Sequence, residues 1–145
     1  MTEHVEVRRH IGAPIDRVWA RYVDHARWSE WAGTPGSKLV VRGTPDENGV
    51  GSVRQFAGYV REAVTEFETP ARLAYRVTRG MPFRGHEGEV TFAVTDDGTD
   101  VVWRCHFDPI IPGTGAALRR LVTGTFTRAL AGLAKDLEPR PPSGA

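Results

Sequence analysis

The sequence predicts an α+β fold in which a curved, seven-stranded antiparallel sheet wraps around a long C-terminal helix. Three observations carry this expectation. Apolar residues recur with a period of two through 37–108, between short breaks that contain Gly or Pro. A stripe of large apolar residues at helical spacing runs from about 114 to 137. Two short helical patterns stand between a first strand and the remaining six.

Residues 4–11 alternate as a first strand, with Val5 and Val7 on one face, and Gly12-Ala13-Pro14 ends it. Pro14 occupies the first position of a helix, where its missing N–H costs nothing. Ile15, Val18, Trp19, Tyr22 and Val23 follow at helical spacing, with Asp16 favourably placed in the first turn. Asp24 is the N-cap of a second short helix over 25–31, with Trp28 and Trp31 on one face. Gly33, Pro35 and Gly36 then break the chain. Strands are expected at 37–43, 50–56, 59–68, 72–79, 86–95 and 100–108, joined by connections short enough for hairpins. Thr114 caps the last helix, whose apolar stripe includes Leu118, Leu121, Val122, Phe126, Leu130 and Leu133. Thr125 and Ala129 are small among these, and Gly124 and Gly132 each cost about 0.5–1 kcal/mol relative to alanine. Small residues facing a bent sheet are expected to leave space between helix and sheet.

The chain of 145 residues is read as one domain over 1–138 followed by a flexible tail, 139–145. Its formal net charge of +1 offers no electrostatic footprint for nucleic acid or an anionic membrane. The N-terminal MTEHVEVRRH has no apolar run, no window approaches a membrane span, and the expected location is the cytoplasm. Cys105 is the only cysteine, so no intrachain disulfide is expected. His4, His10, His25, His86 and His106 form no metal motif, and neither a metal nor a cofactor is expected. Ser29, Ser37, Ser52 and Ser143 lack a nucleophile-elbow context.

Hairpin arithmetic predicts the inward face of the sheet. An Asp97-Gly98 turn pairs Val94 with Val101, Phe92 with Trp103 and Val90 with Cys105 on one apolar face. A Pro70-Ala71 turn pairs Val64 with Val77, Glu66 with Tyr75 and Glu62 with Arg79, and leaves Phe67 on the opposite face. The Ala57-Gly58 hairpin has two solutions: a tight turn aligns Gln55 with Glu62, and a bulged turn aligns Arg54 and Phe56 with it instead.

This element order resembles the START/Bet v 1-like (SRPBCC) superfamily, and its polyketide cyclase/dehydrase-like branch in particular. The matching residues are spread along 4–137: Ile11-Gly12-Ala13-Pro14 before Val18-Trp19, then Asp24 with Trp28 and Trp31, and Gly51-Ser52-Val53-Arg54. Arg61-Glu62-Ala63-Val64, Pro70 to Tyr75, Gly98-Thr99, Val102-Trp103 and Ile111-Pro112-Gly113 continue the match. The resemblance implies a helix-grip fold. It implies no single activity, since the superfamily includes lipid carriers, hormone receptors, aromatase/cyclases, ring hydroxylase subunits and co-chaperone-like proteins.

The expected site is an apolar cavity between sheet and helix that takes a small hydrophobic molecule of lipid, polyketide or aromatic type. Its lining would be Arg54, Gln55, Glu62, Tyr75, Val77, Phe92, Trp103, Leu121, Val122, Thr125, Phe126 and Ala129. Trp28, Trp31, Met81 and Phe83 would flank the entrance, although the two tryptophans read first as staples that hold the short helices on the sheet. Glu62 reads first as the partner of Arg54 or Arg79, which would lower its pKa. Alternatively, raised by burial, it would bind a ligand hydroxyl or act as general acid or base in a cyclase or dehydratase. A third reading is a co-chaperone-like or toxin-like interaction protein, using the outer sheet face or the basic side of the last helix at Arg119, Arg120 and Arg128. A homodimer stays open.

Overall fold

The computed structural model describes residues 1–139. Seven strands form one sheet: β1 (Glu3–Ile11), β2 (Lys38–Val41), β3 (Val53–Phe56), β4 (Val60–Glu68), β5 (Arg72–Arg79), β6 (Phe83–Thr95) and β7 (Gly98–Pro109). Their spatial order is β1-β7-β6-β5-β4-β3-β2, and every pairing is antiparallel. Helix α1 (Ile15–Val23) and a 3-10 helix (His25–Glu30) fill the β1–β2 connection, and α2 (Gly115–Leu137) closes the fold. The expected seven-stranded helix-grip arrangement is the one observed. Of the expected tail, residues 140–145 lie outside the described residues. Among the described residues no helix is long and apolar enough to cross a membrane.

Local physics accounts for the elements and for small departures from expectation. Pro14 stands one residue earlier than expected, as the N-cap of α1, where its carbonyl accepts from Arg17 N and Val18 N at 3.0 and 3.1 Å. Thr114 is the N-cap of α2, but its hydroxyl donates backwards to the Ile111 carbonyl at 2.6 Å instead of capping an N–H. Gly132 does not mark empty space: a Cβ there would overlap the Trp31 carbonyl oxygen, so the glycine lets α2 lie directly on the end of the 3-10 helix.

The β6–β7 hairpin turns one residue earlier than expected, at Asp96-Asp97, which shifts each pairing by two: Val94 opposite Thr99, Phe92 opposite Val101 and Val90 opposite Trp103. A shift of two preserves every face, so Val90, Phe92, Val101, Trp103 and Cys105 are all buried as predicted. Val94, at the far end, is exposed instead. The β4–β5 hairpin departs by an odd number near its turn, where Phe67 opposes Leu73 and Glu66 opposes Ala74. An irregularity between Val64 and Glu66 reverses the side chains there. Phe67 therefore packs on Trp19, with ring centroids 5.1 Å apart, and Glu66 moves outside to pair with Arg72.

Candidate functional site

The interior of the sheet holds a polar group inside an aromatic box. Strand β3 sets Arg54 directly opposite Glu62 on β4, because Ala57, Gly58 and Tyr59 form a three-residue connection that leaves Phe56 opposite Val60. Ala57 and Gly58 both adopt positive φ, 55° and 77°. The bulged alternative is therefore the one adopted. Arg54 is inside, whereas Gln55 turns to the other face, accepting from Arg61 Nε at 2.8 Å and donating to the Gly58 carbonyl.

Arg54 is 1% exposed and Glu62 5%. Arg54 Nε donates to Glu62 Oε1 at 2.8 Å, and Nη2 lies 2.8 Å from the same oxygen without an aligned hydrogen bond. The guanidinium sits 4.3 Å from the Trp28 ring centroid and 4.8 Å from that of Tyr75, so two aromatic faces help to hold the cation. Its Nη1 donates to His25 Nδ1 at 3.4 Å, and His25 Nε2–H donates to the Asn48 carbonyl at 2.9 Å. These two contacts select the neutral Nε2–H tautomer of His25. Burial, then the Arg54 charge, lowers its pKa to about 3. Arg79 is exposed and does not take the role of partner to Glu62. Burial raises the Glu62 carboxyl above its ordinary range, while Arg54 beside it acts in the opposite sense.

Three buried polar atoms of this interior make no aligned hydrogen bond: Arg54 Nη2, Tyr22 Oη beside the guanidinium, and Trp31 Nε1 further off behind Tyr22 and Trp28. Tyr22 and Trp31 rings lie 6.1 Å apart, and each packs on Trp28. Burial pushes the Tyr22 phenol up to about 12, so it keeps its proton. Trp28 Nε1, by contrast, is spent on the Tyr22 carbonyl at 2.6 Å. Tyr75 Oη accepts from Trp103 Nε1 at 2.9 Å, which leaves its own proton to donate. Tyr75 reaches that position by lying across Gly88 of β6, and a Cβ at Gly88 would overlap its ring. Gly88→Ala is expected to expel Tyr75, break the Trp103 bond and destabilise the protein by roughly 1–3 kcal/mol. Urea unfolding with tryptophan emission checks this, and an unchanged midpoint would show that the ring does not depend on the glycine.

The other expected lining residues divide. Phe92, Trp103, Val122, Phe126 and Ala129 are buried, and Val77 is half-buried opposite Glu62. Trp103 stacks on Phe126 at 4.0 Å and 12°, so the protein's own rings bridge from sheet to α2. Leu121 is 57% exposed and lies on the solvent side, about 100° round the helix from the buried Val122, while Leu118 in the same turn packs on the core. Thr125 is half-buried, and its hydroxyl donates to the Leu121 carbonyl at 2.9 Å. Trp28 and Trp31 are buried within the box and do not flank an entrance. Phe83 is buried against Phe107, and only Met81 is half-exposed among the expected entrance residues.

Tyr22, His25 and His86 are interior polar residues that sequence reasoning did not place in the site. Tyr22 was legible only as one member of an apolar helix stripe. His86 carried a usable signal, since it shares the even-numbered face of β6 with Val90 and Phe92. A groove of about 670 Å³ lies elsewhere, on the outer sheet face, where Arg72 bonds Glu66 and Glu89 and Arg104 bonds Glu89 and Glu6. Most of its charged side chains are engaged in these ion pairs, whereas the space expected between sheet and α2 is occupied by Phe126 stacked on Trp103. Among the described residues no cluster of three His, Cys, Asp or Glu is placed to hold a metal ion.

Comparison with known proteins agrees with this architecture. The family described as polyketide cyclase/dehydrase and lipid transport matches residues 2–138. A solution structure from Thermobifida fusca superposes with a TM-score of 0.75 at 26% identity, covering 93% of this chain and 91% of that one. StfQ, a di-domain ARO/CYC of the steffimycin biosynthetic pathway, gives 0.77 at 11% identity, covering 93% of this chain and 50% of its own. BexL, a di-domain ARO/CYC of the BE-7585A pathway, gives 0.72 at 21% identity, with 97% and 51% covered. The chain thus spans about half of each di-domain protein. No curated protein matches it.

Proposed function

The chain belongs to the polyketide cyclase/dehydrase and lipid transport family, and from that premise we propose that it binds a small, largely aromatic molecule through an oxygen atom placed at Arg54. The observation that carries this is the set of buried donors without acceptors. Leaving such groups unpaired costs roughly 1–3 kcal/mol each, a penalty that a bound carbonyl or phenolate oxygen removes. The surrounding rings of Trp28, Tyr75 and Trp103 supply apolar contact, worth about 25 cal/mol per Å² buried. The ligand ring takes the place of Phe126 on Trp103.

A cyclase or dehydratase is the second reading. A cation in a dry, aromatic setting stabilises negative charge developing on an enolate oxygen, and Arg54 is such a cation. Glu62 is less free to act as a base than its burial alone suggests, because its carboxylate is tied to Arg54.

Titration with 2-naphthol, read by quenching of tryptophan emission, tests binding. Phe126→Ala is expected to tighten binding about tenfold by vacating the face of Trp103, and Tyr22→Phe to weaken it by roughly three- to tenfold. Native mass spectrometry of the purified protein is expected to retain a small molecule. Absence of quenching in both wild type and Phe126→Ala, together with no retained molecule, would overturn the assignment. Under the enzyme reading, Glu62→Gln lowers turnover by orders of magnitude with ligand still bound.

A further inference from the structure

We propose that His86 is a second polar anchor in the same interior, and that the ligand is therefore an aromatic skeleton carrying a hydroxyl group at the end remote from its Arg54-bound oxygen. This rests on the binding reading above and specifies its ligand class.

His86 is 4% exposed, and neither ring nitrogen has a hydrogen-bond partner. Its neighbours are the rings of Phe83, Tyr75 and Phe107, at 5.1, 5.8 and 5.9 Å. None of these contacts satisfies an imidazole nitrogen. A packing role would be met as well by phenylalanine, without two stranded polar atoms, and such atoms in a native interior call for an explanation.

The backbone brings His86 inside by a specific device. Between Arg84 opposite Asp108 and Glu87 opposite His106, β6 contains one residue more than β7. Gly85 lies within this irregularity at φ 62°, a conformation that favours glycine. The extra residue lets both Phe83 and His86 face inward, with Gly88, Val90 and Phe92 continuing the same face. In strand order Tyr75 on β5 separates His86 on β6 from Arg54 on β3, and its ring touches both groups. A ligand lying along Tyr75 would meet the cation at one end and the imidazole at the other. The imidazole has one donor and one acceptor nitrogen when neutral, which matches a hydroxyl group. Burial, with His106 nearby, lowers its pKa to about 4 and keeps it in that form at neutral pH.

The test compares 2-naphthol with 2,6-dihydroxynaphthalene in wild type, His86→Phe and His86→Gln, by tryptophan quenching. Wild type is expected to bind the diol three- to tenfold tighter. His86→Phe should abolish that preference while binding 2-naphthol as wild type does, and should raise the melting temperature by removing stranded polar atoms. His86→Gln, which keeps a donor and an acceptor, should retain part of the preference and covers the case in which the phenylalanine variant misfolds. Equal affinities for the two compounds in wild type, or a preference that survives in both variants, would overturn the role of His86 and leave the Arg54 site standing. Absence of binding by both compounds overturns the Arg54 reading and this one with it.

Discussion

Glu62→Gln is expected to destabilise the protein by roughly 3–5 kcal/mol, because it leaves the Arg54 charge buried without a counter-charge. The two side chains are almost wholly withdrawn from solvent and meet at 2.8 Å, so water cannot replace the lost carboxylate. The cation–π contacts with Trp28 and Tyr75 recover only part of the loss. Replacing both members, as Arg54→Met with Glu62→Leu, is expected to return stability to within about 1 kcal/mol of wild type, since apolar residues of similar size remove both desolvation costs. Urea unfolding of Arg54→Met, of Glu62→Leu and of the double variant measures the coupling directly. The double variant should fold yet lose 2-naphthol binding, which separates the structural role of the pair from its role in recognition. A Glu62→Gln protein as stable as wild type would show that Arg54 has access to water.

Acid is expected to destabilise the protein well before its surface carboxylates titrate. His25 and His86 are buried and neutral, with pKa values lowered to about 3 and about 4, whereas in the unfolded chain each titrates near 6.5. Below pH ~6.5 the unfolded state therefore binds protons that the native state refuses. Stability is fully present above that pH and is lost at about 1.4 kcal/mol per pH unit for each such histidine as the pH falls towards their native values. Two groups act in the opposite sense. Bonding to Asp100 raises the exposed His10, and burial raises Glu62, so each favours the native state as the pH falls. They moderate the slope, and the His10 contribution is screened by solvent. Unfolding free energies at pH 7.0 and pH 5.0 should differ by about 2–4 kcal/mol, and His86→Phe should remove close to half of the difference. A pH-independent stability across this range would show that both imidazoles gain protons in the native state.

Much of the architecture was legible because periodicity is local. Alternation along β6 and β7 gave the correct inward face even though the pairing is shifted by two residues, since an even slip leaves each side chain on its side. The same reasoning misplaced Glu66 and Phe67, where an irregularity after Val64 changes parity without a glycine to announce it. The apolar stripe of α2 located Val122, Phe126 and Ala129 correctly but carried Leu121 into the interior, because Leu121 lies about 100° round the helix from Val122, at the edge of the stripe, and sequence does not fix how wide a stripe the sheet covers. Gly132, read from sequence as space, is a point of closest approach.

By itself the sequence determined the order of elements, the curved sheet with its terminal helix, the inward placement of Glu62, Tyr75 and Trp103, and a family whose members share that fold. Only the tertiary structure decided that Arg54 and not Gln55 faces Glu62, that Tyr22, His25, Trp28 and Tyr75 gather around the guanidinium, and that His86 stands beyond Tyr75 with both nitrogens unpaired. The physical reason is that hydrophobic period specifies a face, whereas contact between side chains also needs register, and register here is set by the Ala57–Tyr59 connection and the irregularity at Gly85. Those features bring together residues far apart along the chain, and their effect appears only once the sheet has closed around its helix.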